Sequence, residues 1–265
     1  MSEGALAARL ADLRAARRPA LIPYITAGFP DAHATVAFLR GAAAAGADAV
    51  ELGVPWSDPV ADGPTIQAST HAALAGGTTL ARTLDLLAEA RAALPVVVFT
   101  YLNPVLARGA ARFAGDAQRA GAAGLLVTDL PVGADEAVER ELRSAGLPLV
   151  RLVAPTTPDA RRKAIAARSE GFLYLIARLG VTGESGRLSH LLGAQVASLR
   201  AVSDLPIAVG FGISSPEQAA AVAAVADGVV IGSAVVARMG RGGAAEALGW
   251  LGTVRAALDA RRAHA

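Results

Sequence analysis

Cysteine is absent from the 265 residues, which excludes disulfides, a thiolate nucleophile and zinc–thiolate sites without fixing a compartment. Aromatic residues make up only 4% of the chain, so a core has to be assembled from Ala, Val, Leu and Ile. Charge of one sign does not accumulate. The formal net charge is +2, the signs are interspersed and no lysine-rich tail is present, which speaks against a nucleic-acid surface. The opening MSEGALAARLADLRAARR has a helical period and carries charges throughout, so it reads as neither signal peptide nor membrane span, and a cytoplasmic location is the expectation. There is no Gly-x-Ser-x-Gly elbow and no P-loop. His33, His71, His190 and His264 form no i, i+4 pair and flank no carboxylate cluster, so no metal site is expected.

What is present is apolar sequence in a regular rhythm. Just over half the chain is apolar, 53%, and the length suits one large domain spanning 1–265, since α/β barrels run to roughly 250 residues undivided. An amphipathic helix over 4–17 precedes an apolar run at 21–26. A helix over 32–45, a strand over 48–53, a helix near 78–93 and a strand opening at Pro95 follow. Helices are then expected at 107–120, 134–145 and 191–201, and one opened by the capping-box pattern SPEQ at 215–218. Thr157, Pro158 and Asp159 are expected as N-cap, N1 and N2 of another. A final helix covers 243–262. Between them run GLLVTDLP, LPLVRLVAP, FLYLIA, LPIAVGFG and GVVIGSAVV, short and apolar on both faces, as a parallel sheet covered by helices requires. The fold class is therefore α/β, a (β/α)8 TIM barrel with an extra N-terminal helix. A doubly wound open sheet is the alternative, but TAGFPD after the first strand is not its usual glycine-rich turn.

Residues 47–67, ADAVELGVPWSDPVADGPTIQ, concentrate the acids. Val50, Leu52 and Val54 alternate with Ala49, Glu51 and Gly53, so Glu51 lies on one face of a buried strand. Pro55, Pro59 and Pro64 then stiffen the chain, and the expectation is a long loop without helix that presents Asp58 and Asp62. A carboxyl buried among apolar neighbours resists ionisation, whereas one on a wet loop stays charged, so two such groups can divide proton chemistry. The alternative at this point is a strand-end glutamate paired with an arginine and two turn-forming aspartates.

In a barrel the active site lies where the strands end. Tyr24 and Thr26, Glu51, Tyr101 and Asn103, Asp129, and Tyr174 and Arg178 hold those places. Tyr101 and Tyr174 read equally as barrel-filling aromatics, and Asp129 as a turn former or helix cap. GFG at 210–212 and GS at 232–233 follow the last two strands, where backbone N–H groups and a helix N-terminus bind phosphate in many barrels. Residues 179–186, LGVTGESG, form a glycine-rich connection, either a closing lid or a loop with no role.

PYITAGFPD, VELGVPWSDPVADGPTIQ, YLNP, TDLPV, GVTG, VGFGISSPEQ and IGSAVV, in this order and spacing, closely resemble the tryptophan synthase alpha chain family over nearly the whole chain. The resemblance implies a (β/α)8 lyase that cleaves indole-3-glycerol phosphate to indole and glyceraldehyde 3-phosphate without metal or organic cofactor of its own. It implies a pyridoxal-phosphate beta chain as partner, in an alpha2-beta2 assembly, which joins indole to serine. By motif, Glu51 and Asp62 match the catalytic acids, Tyr174 an active-site tyrosine, and Thr182 a lid residue. Gly183, Gly212, Gly232 and Ser233 match phosphate contacts, Tyr24 and Phe99 match positions that line the indole pocket, and Asp58 resembles the residue that relays the state of the site to the partner. Ala177 and Leu179 depart from the family pattern before the lid, and Trp56 stands where phenylalanine is usual. A free-standing lyase and a non-catalytic activator subunit are the competing functions.

Overall fold

Eight short strands, each apolar on both sides, form one parallel sheet in the computed structural model, which describes residues 4–177, 185–210 and 212–262. In chain order these are β1 (Ala20–Thr26), β2 (Val50–Gly53), β3 (Val96–Thr100), β4 (Gly124–Val127), β5 (Arg151–Val153), β6 (Leu173–Ile176), β7 (Ile207–Gly210) and β8 (Gly228–Ile231). Neighbours pair in the order β4-β3-β2-β1-β8-β7-β6-β5. Leu125 pairs with Leu149 across the remaining seam, where Leu125 N donates to Pro148 O and Val150 N donates to Leu125 O. The sheet thereby curls into the expected barrel.

Strand alternation sorts the side chains into two cores. Leu21, Ile25, Val50, Leu52, Val96, Val98, Leu125, Leu173, Leu175 and Val209 point outward and meet the helices. Ile22, Ala49, Val97, Leu126, Val150, Phe172, Ala208 and Val230 point inward. The lower end of the barrel is plugged by α1 (Ala5–Ala15), whose Leu6, Leu10 and Leu13 join that inner set. Asp48, 1% exposed, fastens this end by ion pairs to Arg9, Arg18 and Arg255.

The helices are α2 (Ala32–Gly41), α3 (Pro64–Ala75), α4 (Leu80–Ala90), α5 (Leu102–Arg108), α6 (Ala110–Arg119), α7 (Glu136–Arg143), α8 (Asp159–Ala167), α9 (Ser185–Arg200), α10 (Pro216–Val222) and α11 (Ser233–Arg262). Caps are local: Asp31, Thr79, Asp135 and Ser215 accept from the first turns of α2, α4, α7 and α10.

Five local expectations change. The segment after β2 was expected to hold no helix, yet Pro64 is the first residue of α3, where its missing N–H costs nothing. The third strand stops at Thr100, and LNP begins α5 instead. Gly109, at φ 86°, then separates α5 from α6, where one helix was expected. Pro158 rather than Thr157 caps α8, because the Thr157 hydroxyl accepts instead from Ala154 N. The last helix does run to its expected end, but α11 starts earlier, at Ser233, and breaks at Gly242 and Gly243.

Candidate active site

The inward positions one step above the inner core face a cavity of 430 Å³ at the C-terminal ends of the strands. Tyr24 follows Ile22 on β1, Glu51 follows Ala49 on β2, Phe99 follows Val97 on β3, and Thr128, Leu152 and Tyr174 repeat the step on the next three strands. Tyr24 and Glu51 are register partners across β1 and β2. The walls are completed by Ile66 of α3 and by Ile176 and Ile213. Such an apolar box with few polar groups suits a planar aromatic ligand.

Two glycines make room for two tyrosines. A Cβ on Gly53 would lie 2.1 Å from the Tyr24 hydroxyl oxygen, and one on Gly210 would lie 2.4 Å from that of Tyr174. Tyr24 also meets Phe99 edge-on, with ring centroids 5.4 Å apart.

Glu51 is 1% exposed, and its Oε1 has no hydrogen-bond partner among the described residues. Burial raises its carboxyl to about 8, because a charge there would be stripped of water without an ionic partner. Among the described residues, no arginine pairs with Glu51. Asp62 is half-buried on the loop after β2. Burial raises its carboxyl too, but a hydrogen bond from the Tyr101 hydroxyl opposes the rise. Tyr24 and Tyr174 are held well above the usual phenol range, chiefly by burial and further by both carboxylates.

Gly212, Gly232 and Ser233 line the same cavity where β7 and β8 end. The carbonyl of Gly232 accepts from Val235 N and Val236 N, so α11 begins here. Its N-terminal turn carries the positive end of the helix dipole into the cavity. Gly212, at φ 78°, adopts a conformation that other residues rarely take.

Thr182 and Gly183, with Arg178, Leu179 and Phe211, lie outside the described residues. Ala177 is buried at the end of β6. Asp58 is exposed and accepts a hydrogen bond from Ser57. Asn103 is exposed on α5, and Asp129 accepts from Leu102 N, which makes it a cap for that helix. The sequence reading gave no site role to Gln67, Thr128, Leu152, Ile176, Ile66 or Ile213. For Thr128, Leu152 and Ile176 the signal was available in strand alternation, whereas Ile66 and Gln67 sit on the unexpected helix α3.

Residues 10–250 match the sequence model described as tryptophan synthase alpha chain. The chain belongs to the tryptophan synthase alpha chain family. The tryptophan synthase alpha chain of Gluconacetobacter diazotrophicus is 47% identical over 237 residues, covering 88% of this chain and 86% of the relative. That of Gloeobacter violaceus is 47% identical over 253 residues, covering 94% and 92%. Among solved structures, the tryptophan synthase alpha subunit of Legionella pneumophila superposes with a TM-score of 0.88 at 35% identity, covering 96% and 98%. A ligand-free tryptophan synthase of M. tuberculosis gives 0.86 at 37% identity with the same coverage. As a tryptophan synthase alpha chain, the protein is a carbon–carbon lyase that cleaves indole-3-glycerol phosphate.

Proposed function

We propose that Glu51 and Asp62 divide the proton work of this cleavage. Indole leaves from C3, so C3 has to gain a proton, the ring nitrogen has to be stabilised as it becomes cationic, and the glycerol 3′-hydroxyl has to lose a proton. With its carboxyl raised to about 8, Glu51 is mostly protonated at neutral pH and delivers that proton to C3. The carboxylate left behind takes the hydroxyl proton as the carbon–carbon bond breaks, the bonding electrons return to the indole ring, and Glu51 regains its starting form. Asp62 acts as the carboxylate that accepts the indole N–H and balances its transient charge. The observation that carries this assignment is the buried Glu51, with Oε1 free, in the wall of a cavity it shares with Asp62.

Tyr174, beside Glu51, completes the catalytic set as a protonated phenol that donates to the substrate. Tyr24 and Phe99 hold the indole ring, and Gly212, Gly232 and Ser233 take the phosphate at the start of α11. Thr182 and Gly183 are assigned to Asp62 and to the phosphate, respectively, by resemblance alone. Asp58 relays the state of the site to a pyridoxal-phosphate beta chain in an alpha2-beta2 assembly that consumes the indole. The similarity to alpha chains within tryptophan synthase structures supports that partner. The whole chain serves as a single barrel domain, in the cytoplasm.

Indole release from indole-3-glycerol phosphate, with and without a beta chain, tests these roles. Glu51→Gln and Asp62→Asn should each lose about 10²–10⁴ in rate, and the beta chain should accelerate the unmodified protein. Release indifferent to the beta chain would favour a free-standing lyase. Tight ligand binding without turnover would favour an activator subunit, and full activity in either variant would remove that acid from the mechanism.

A further inference from the structure

We propose that Gln67 is a positioning residue for the cleavage, clasping the loop that bears Asp58 and Asp62 so that both aspartates move as one unit. The loop between β2 and α3 has little secondary structure of its own. Val60 N donates to Asp58 O at 2.8 Å and Asp62 N donates to Pro59 O at 3.0 Å, which folds 58–62 into consecutive tight turns. Turns of this kind are marginal by themselves and need outside partners to keep one geometry.

Gln67 supplies that support from the first turn of α3. Its backbone N–H is committed to Gly63 O, leaving the side chain free to fold back along the loop. The carboxamide Nε2 donates to Asp62 O at 2.8 Å and, at 3.5 Å, to Pro59 O. One amide group therefore reaches the carbonyl of the catalytic aspartate and that of the residue next to Asp58. The Asp62 side chain is tied by Tyr101, just past the end of β3, whose hydroxyl also accepts the N–H of Ala61. Tyr101 thus holds the carboxylate and the N–H of Ala61, whereas Gln67 holds the carbonyl of Asp62 and, of these two anchors, is the one whose hydrogen bonds extend to Pro59 at the Asp58 end of the loop.

The chemistry gives this anchor a kinetic signature. Asp62 acts on charge that develops at the indole nitrogen, so an error in its position weakens the transition state more than the bound substrate. Loss of Gln67 should appear in kcat rather than KM. Because the same amide joins the Asp58 end to the Asp62 end, stimulation by a beta chain should fall as well.

The inference rests on the role assigned to Asp62, so Asp62→Asn is measured alongside. Gln67→Met keeps the length of the side chain and removes its donors, while Gln67→Glu turns an acceptor toward two carbonyl acceptors. With each variant's folded fraction fixed by near-ultraviolet circular dichroism, kcat should drop about tenfold in Gln67→Met and further in Gln67→Glu, with KM within about twofold. The ratio of rates with and without the beta chain should fall in both. Wild-type kcat and stimulation in Gln67→Met, or losses no larger than its unfolded fraction, overturn the positioning role when Asp62→Asn is inactive. An active Asp62→Asn overturns instead the assignment of Asp62 on which it stands.

Discussion

The Tyr101 hydroxyl donates to Oδ2 of Asp62 at 3.0 Å and accepts the N–H of Ala61 at 3.1 Å, so one phenol fixes both the carboxylate and the backbone beside it. That hydrogen bond favours the ionised form of Asp62 against the burial that opposes it. Tyr101→Phe keeps the ring and removes the bond. The acidic limb of the pH–rate profile should move to higher pH and kcat at neutral pH should fall about tenfold. An unmoved limb would mean that Asp62 does not depend on Tyr101 for its charge.

Glu51 should lower the stability of the folded chain at neutral pH. Its folded carboxyl sits at about 8 against an ordinary value of 4.5. Between those values the unfolded chain has released a proton that the folded chain keeps, so stability falls as pH rises through this window and levels off above it. Glu51→Gln removes the penalty and should be the more stable protein by roughly 2–5 kcal/mol at pH 8, with the difference vanishing near pH 4. Urea unfolding at several pH values measures this. Equal stabilities at pH 8 would show that Glu51 ionises freely in the folded state.

Gly210→Ala should disturb Tyr174 without disturbing the barrel. The new methyl would sit 2.4 Å from the hydroxyl oxygen and 2.9 Å from Cζ, and the end of the ring can swing where backbone could not. A loss of about 10-fold or more in kcat/KM, with the thermal midpoint changed by only a few degrees, is expected. Gly53→Ala should act on Tyr24 in the same way. Unchanged kinetics in both would mean that neither tyrosine needs its present position.

Arg151 and Glu139 form a buried ion pair at 2.8 Å, with side chains 4% and 6% exposed. They also hold the connection between β4 and α7, since Arg151 donates to Leu130 O and Glu139 accepts from Gly133 N. Arg151→Met alone should cost roughly 2–4 kcal/mol because it leaves the buried carboxylate with only the longer pair to Arg168, at 3.6 Å, and Glu139→Leu added to it should recover part of that loss. Equal unfolding free energies for the single variant and the wild type would contradict the pairing.

The barrel was legible because strands buried on both faces carry continuous apolar runs, and Glu51 stood out as an acid inside one of them. Residues tied to distant partners were harder to read. Tyr101 could be placed at a strand end, as a site residue or a barrel-filling aromatic, but not paired with Asp62, because that carboxylate lies 39 positions earlier in the chain. Helix α3 was missed because three prolines suggested a loop, although the third of them, Pro64, occupies the one helical position where proline fits well. With α3 went Ile66 in the cavity wall and Gln67 beneath the loop. The end of β3 was overrun because LNP continues the apolar pattern, and its start of a helix depends on Asp129, from the β4 side, accepting Leu102 N.

The proposed mechanism centres on a proton held by Glu51 at neutral pH, which infrared difference spectroscopy reads directly. Wild type minus Glu51→Gln, titrated from acid to alkaline pH, should show a carboxylic-acid carbonyl band present at pH 7 and lost with a midpoint near 8. If the difference spectrum shows only an ionised carboxylate at pH 7, Glu51 cannot be the acid that protonates C3, and the division of labour between Glu51 and Asp62 fails.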